Sequence, residues 1–426
     1  MEGHAAGCIL RNDAALPAHH IALMSKPQEQ VTLDSVLIDS IADWLMEQAL
    51  AETPMVDLVE GCCQRMRAAG IPILRALVSH GTLHPLYEAV WHTWHRENGM
   101  GTYQMPHGSM GEAVFQASPF FHMMETGVPF VRRRLTGEEA MLDFPALTDF
   151  RDQGGTDYIA AHVPFGRAGE NGSTRGIFLS WTSDRPSGFA DGDIAALRRI
   201  QKRLAVAAKI RIKTEIAQNV LTAYLGADAG AKVLGGNIRR GDTETVHSVI
   251  WYSDMRNSTR LAETMAPEDY LATLNSVFEA TAGPVIEEGG EVLLLIGDAV
   301  LALFPTAKMT EHEAAAAAGR ASKEALRRLE ALNAERRNGG LPTVSCGIAL
   351  HVGDLTYGNI GIPQRLQFTA IGPAANQVAR IETLTKVLER PLLASAAFAR
   401  LLDCPWQSVG SHALRGVSDP IEVFAP

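Results

Sequence analysis

Two aspartates at the ends of apolar segments carry the first chemical signal. Asp254 follows the apolar run 246–252 in Tyr252-Ser253-Asp254-Met255, and Asp298 stands in Ile296-Gly297-Asp298, a tight turn between two apolar segments. If adjacent strands bring them together, the carboxylates repel and a divalent cation relieves the repulsion. Hard oxygen ligands of this kind suit Mg²⁺ or Mn²⁺ and leave coordination positions for water and phosphate. Taken singly, each has a plainer reading, Asp298 as a turn residue and Asp254 as a helix N-cap. After Arg256, the polar run Asn257, Ser258 and Thr259 opens a helix whose backbone N–H groups can face an anion. Asn376 and Arg380 stand four apart and so share one helix face. Arginine offers a fork for phosphoryl oxygens and asparagine can position a hydroxyl. That spacing is ordinary on solvated helices, so the pair gains meaning only beside the aspartates.

The elements that must hold these residues follow from hydrophobic periodicity. The second half reads as strand 246–252, helix 267–287, strand 291–296, strand 299–304, an Ala-rich helix 311–337, strand 343–351, a Gly-rich arm and helix 373–388. That order is β-α-β-β-α-β, an α+β sandwich of ferredoxin-like type. The first half opens with helices at 33–50 and 56–69. Apolar segments at 73–78, 89–95, 129–135, 158–164 and 177–182 then read as strands of one sheet. Asp191 is the expected N-cap of a long helix with Leu197, Ile200, Leu204, Ala207 and Ile210 on one side. The predicted organisation is a disordered tail over 1–30, a first domain over 31–212, a connector over 213–245 and a second domain over 246–426.

Composition sets the outer limits. The chain has 426 residues, 46% of them apolar, with 38 Lys+Arg against 48 Asp+Glu and a net charge of -10. A molecule with that balance lacks the positive field that nonspecific nucleic-acid binding requires, so any polyanion must meet a local cationic site. Five cysteines without a C-x-x-C pair imply no disulfide framework and fit a reduced, cytoplasmic protein. No apolar run is long enough to span a membrane, and the first eleven residues lack the pattern of a secretion signal.

In combination, these motifs resemble the catalytic domain of the class III adenylate and guanylate cyclases over residues 246–426. The resemblance rests on 252–259, on Gly289-Gly290 followed by 295–299 and Phe304, and on Gly358-Asn359-Ile360-Gly361. It continues through Phe368-Thr369-Ala370-Ile371-Gly372, Asn376 with Arg380, and Leu414-Arg415-Gly416. It implies that Asp254, Asp298 and the Met255 carbonyl hold two metal ions, Mg²⁺ or Mn²⁺, per active site. Asn376 is expected to orient the ribose of ATP and Arg380 to stabilise charge on the α-phosphoryl group. Asn257, Ser258, Thr259 and Arg415 are expected around the triphosphate, with Arg415 standing where the family usually has a lysine. The family builds its sites across a head-to-tail homodimer, the metal ligands from one subunit and Asn376, Arg380 and Arg415 from its mate.

The pattern departs from the family at the base-reading positions. Leu294 stands where adenylate enzymes normally carry a lysine, while Thr369 fits one branch of them, and neither guanine-reading residue is present. Weakened base selectivity with intact metal chemistry is the expected consequence. The implied activity is conversion of ATP to 3′,5′-cyclic AMP and pyrophosphate. A guanylate or relaxed-specificity cyclase and a catalytically silent nucleotide-binding protein are the alternatives.

Residues 31–212 resemble a GAF-type sensor in their leading helices, strand series and the run Gly176 to Trp181 before a long helix, which implies an unknown small-molecule effector. Six histidines (His80, His84, His92, His95, His107 and His122) could include a haem or metal ligand, but no spacing matches a metal motif and packed histidines are the expectation. Arg132, Arg133 and Arg134 alternate along a strand and read as a solvated edge. The run 198–213 holds seven basic residues and no acid, and its apolar spacing suits a helix that pairs with a twin.

Overall fold

The computed structural model describes residues 33–166, 176–403, 406–414 and 419–426. The expected tail over 1–30 and Arg415 lie outside the described residues.

The first half contains α1 (Leu33–Leu50), α2 (Met55–Ala68), β1 (Arg75–Gly81), β2 (Tyr87–His95), β3 (Gly99–Pro106), α3 (Ala113–Gln116) and α4 (Pro119–Thr126). It continues with β4 (Phe130–Arg134), α5 (Pro145–Asp152), β5 (Asp157–Pro164), β6 (Gly176–Ser183) and α6 (Asp191–Leu225). Its strands form one antiparallel sheet in the order β3-β2-β1-β6-β5-β4. Strand alternation gives that sheet two apolar faces. Ala76, Val78, Ile159, Ala161, Leu179 and Trp181 pack under α1, α2 and α6. Leu77, Val131, Tyr158, Ala160 and Phe178 form the other face, with Phe120 and Met123 of α4 and Leu147 of α5.

Several expectations need correction here. Strand β3 escaped the reading because Gly99-Met100-Gly101 has no alternation and most of the strand is exposed. Asp191 is the first residue of α6 and not its cap. The cap is Ala190, whose N–H donates to the Asp193 carboxylate at 2.8 Å. The arginines of β4 form no free solvated edge: Arg132 and Arg134 both pair with the fully buried Asp157, and Arg133 pairs with Asp143 on the opposite face.

The second half contains α7 (Ala227–Leu234), β7 (Thr243–Met255), α8 (Ser258–Thr264), α9 (Pro267–Glu287), β8 (Glu291–Ile296), β9 (Ala299–Pro305) and α10 (Glu311–Asn338). It closes with β10 (Cys346–Ile362), β11 (Arg365–Ile371), α11 (Pro373–Val387), β12 (Leu392–Ser395), α12 (Ala396–Ala399), β13 (Gln407–His412) and β14 (Ile421–Ala425). The sheet order β13-β14-β12-β10-β7-β9-β8, with β11 paired to β10, contains the predicted β-α-β-β-α-β unit with β7 and β9 at its centre. Val249, Trp251, Ala302 and Phe304 face the alanines of α10 and Val285 of α9. Ile250, Leu301, Leu303 and Ala349 face α11 through Val378 and Ile381. The small side chains of α10 let that helix lie close on the sheet, which dispersion rewards.

The expected Gly-rich arm is a continuation of β10, which runs 17 residues and pairs with β7 from Cys346 to Gly358 and with β11 from Thr356 to Ile362. Its glycines suppress the strand signal in sequence but serve close approach. A Cβ on Gly358 would collide with the Asp242 backbone.

Candidate active site

Antiparallel pairing of β7 with β9 sets Asp254 directly opposite Ala299, the residue after Asp298. The β8–β9 turn needs Gly297 at φ 64, which is easy for glycine, and it delivers Asp298 to the end of β7. The two carboxyl groups lie within hydrogen-bonding reach of each other. Both are half-buried. Asp254 is not a helix cap, because it lies inside β7, which runs on through Met255. Burial, then repulsion from Asp298, pushes the Asp254 carboxyl up to about 6 from its ordinary 3.8, while the Met255 N–H opposes the shift by donating to it.

A third carboxylate, missed in the sequence, adjoins this pair. Glu382 of α11 is buried at 8% exposure, and burial followed by the Asp254 charge raises its carboxyl to about 7 from 4.5. Thr385 Oγ1 donates to its Oε1 at 3.2 Å. Among the described residues no three His, Cys, Asp or Glu side chains form a group that could share an ion, and Glu382 adjoins the aspartate pair through its charge. The available signal was an acid on the apolar stripe Val378, Ile381, Thr385 of α11, where burial disfavours charge.

Arg256 ties the end of β7 to the end of α11, donating to the carbonyls of Thr385 at 2.9 Å and Arg390 at 3.0 Å. Asn257 follows with φ 60, a left-handed conformation that asparagine tolerates, and the chain turns into α8. Asn257 and Thr259 are exposed beside Ser258, and all three closely follow Asp254 in sequence with no polar partner fixing their side chains among the described residues.

Asn376 is exposed and Arg380 is partly exposed on the outward side of α11, while Ala374, Val378, Ile381 and Glu382 face inward. No ion pair joins Arg380 to Asp254 or Asp298 among the described residues. One chain therefore brings together Asp254, Asp298 and Glu382 but leaves Asn376 and Arg380 facing outward. Leu294 of β8 packs against the cluster that contains Phe368 and Ala370, and Thr369 is buried at 9% exposure between those two residues on β11.

The donor set fits a divalent cation. Asp298 raises the proton affinity of half-buried Asp254, and a hard cation is the charge that relieves this crowding of carboxylates. The fold and site thus define an α+β unit with an acidic corner formed by Asp254 and Asp298. Its sequence is similar to an adenylate cyclase of Anabaena cylindrica, 32% identical over 191 residues, covering 44% of this chain and 36% of that protein. Adenylate cyclase 1 of Rhizobium meliloti is 29% identical over 177 residues, covering 41% of this chain and 26% of that protein. These similarities support a class III adenylate/guanylate cyclase catalytic domain within the chain. The chain spans only about a third, or less, of the length of these curated relatives. Among solved structures, the adenylyl cyclase CyaB of P. aeruginosa aligns with a TM-score of 0.40 at 23% identity, covering 43% of this chain and 94% of that one. No family model matches the chain.

Proposed function

We propose that this chain is an adenylate cyclase, converting ATP to 3′,5′-cyclic AMP and pyrophosphate in a head-to-tail homodimer. The observation that carries the reading is the meeting of Asp254 and Asp298 at one corner of the sheet. With the Met255 carbonyl they would hold Mg²⁺ or Mn²⁺. Bound there, the cations supply activation of the ribose 3′-hydroxyl and neutralisation of the triphosphate charge.

The remaining work falls to side chains. Asn376 orients the ribose by hydrogen bonding, and Arg380 offsets charge that grows on the α-phosphoryl oxygens during in-line attack. Asn257, Ser258, Thr259 and Arg415 are assigned to the triphosphate. The outward facing of Asn376 and Arg380 supports a site completed by a second copy of the chain. A surface for that copy exists on α6, where Val206, Ile210 and Tyr224 are exposed at 48%, 37% and 85%, with Ala217 exposed at the matching spacing of a paired helix. The first half is read as a GAF-like sensor acting through α6.

The base preference is the weakest link in selectivity. Leu294 offers no donor or acceptor, which supports relaxed discrimination between ATP and GTP. Purified chain supplied with ATP and Mn²⁺, then Mg²⁺, tests the proposal. Cyclic AMP formed by the native chain and lost in Asp298→Ala supports it. No cyclic nucleotide from ATP or GTP in either metal would replace it with the silent nucleotide binder.

A further inference from the structure

Arg256 is the first residue after β7, and its backbone N–H donates to the Ser345 carbonyl at 2.8 Å, just ahead of β10. That bond fixes the end of β7 whatever side chain stands at 256. The side chain itself crosses to α11, where Nη2 donates to the carbonyls of Thr385 and Arg390 at 2.9 and 3.0 Å. Those carbonyls mark the end of the helix. Glu389 takes φ 52, and the Arg390 N–H turns back to donate to the Thr385 carbonyl at 3.0 Å. A cation at a helix C-terminus is favoured by the axial dipole and satisfies carbonyls that the helix leaves open.

Stability alone is an incomplete account of this contact. Arg256 Nε is buried and has no hydrogen-bond partner among the described residues, a cost that a solvated cation at the helix end would avoid. Because the Arg390 N–H already closes the helix, the guanidinium adds chiefly a fixed distance between β7 and α11.

What α11 carries gives that distance a use. Asn376 and Arg380 face outward, and Arg380 stands five residues before Thr385, about 7.5 Å along the axis at 1.5 Å per residue. Val378 and Ile381 seat the helix on the sheet by apolar contact. Such contact is non-directional and sets the spacing of helix from sheet more firmly than the helix register along its axis. Directional bonds to two carbonyls at one end supply the register.

We propose that Arg256 is a positioning residue: it fixes α11 on the sheet and so places Asn376 and Arg380 for the active site whose acidic corner belongs to a second copy of the chain. The role rests on the shared-site reading given under the proposed function. Its effect crosses the dimer. Loss of the Arg256 side chain harms the site to which its chain lends α11 and spares the site to which its chain lends Asp254 and Asp298.

The test uses the full chain with Arg256→Met, which removes the donors and keeps an unbranched stem. Arg256→Lys, which keeps one donor group, is the second variant and should show the same pattern at smaller size. Thermal unfolding establishes first that each is folded. Hydrogen exchange then reads the clamp without turnover. Amides over 384–390 should exchange about tenfold faster in Arg256→Met, the scale of a hydrogen bond to a charged group, with β7 and β9 unchanged. Unchanged exchange at that end would overturn the proposal whatever the activity.

Turnover reads the consequence. In mixed dimers of Asp298→Ala and Arg380→Ala chains, the intact site takes α11 from the Asp298→Ala chain and its acidic corner from the Arg380→Ala chain. Adding Arg256→Met to the Asp298→Ala chain should lower the rescued kcat about tenfold with the Mn²⁺ dependence unchanged, because a displaced Arg380 loses contact with charge that grows in the transition state. Adding it to the Arg380→Ala chain should leave the rescue intact. Equal loss in both arrangements, or loss only in the second, would overturn the proposal. No rescue in the starting pair would strike the shared site itself and the role of Arg256 with it, a result distinct from a failed exchange measurement.

Discussion

Gly347 on β10 lies directly opposite Asp254 on β7, and its missing side chain is the space in which the Glu382 carboxyl rests. A Cβ at position 347 would collide with Glu382 Oε1 and Thr385 Oγ1, both held by the packed helix α11. Gly347→Ala is expected to cost about 1–3 kcal/mol of stability, the usual scale of overpacking. It should also lower cyclase activity by displacing the base of the acidic corner. Urea denaturation alongside activity checks both, and a variant as stable and active as the native chain would contradict the packing described.

The raised carboxyls give metal-free stability a definite pH dependence. Asp254 shifts upward from 3.8 to about 6 and Glu382 from 4.5 to about 7. Between those limits the folded chain holds more protons than the unfolded one, so stability falls as pH rises through that window. Below it the contribution is fully favourable, and above it the loss is complete. Thermal melts from pH 4 to 8 should show this decline, and Glu382→Gln should make it shallower. Mn²⁺ should raise the melting temperature more at pH 8 than at pH 5, where it must displace protons. Identical pH profiles for native chain and Glu382→Gln would rule out this role for Glu382.

If metal ligands and Arg380 come from different copies, two inactive variants can rescue each other. Asp298→Ala and Arg380→Ala are each expected to be inactive alone. Mixed in equal amounts and allowed to exchange, they form mixed dimers with one intact site, and about a quarter of native activity should return on statistical pairing. Rescue absent despite demonstrated subunit exchange would show that one copy supplies both residues.

Leu294→Lys restores a hydrogen-bonding group at the base-reading position. Relative turnover of ATP over GTP is expected to rise roughly 3- to 10-fold, the discrimination one such contact provides. Competition assays with both nucleotides measure it. An unchanged ratio would remove Leu294 from the base site.

Much of this architecture can be read along the chain. The strands over 246–252, 291–296 and 299–304 announce themselves because they are largely apolar runs, and α10 does so through its alanines. Asp254 and Asp298 stand out because a carboxylate at the end of an apolar strand is unusual. Strand β3 and the outer part of β10 escape the same reading, since glycine carries no side chain to alternate and their signal lies in pairing with distant residues.

Local order, residue type and spacing were therefore enough to name the two aspartates and the helix with Asn376 and Arg380. Proximity was not available from them, because the protonation of Asp254, the burial of Glu382 and the need for glycine at 347 arise when β7, β10 and α11 stack together. Electrostatic and packing energies depend on distance in space, and a linear order of residues encodes that distance only through the fold.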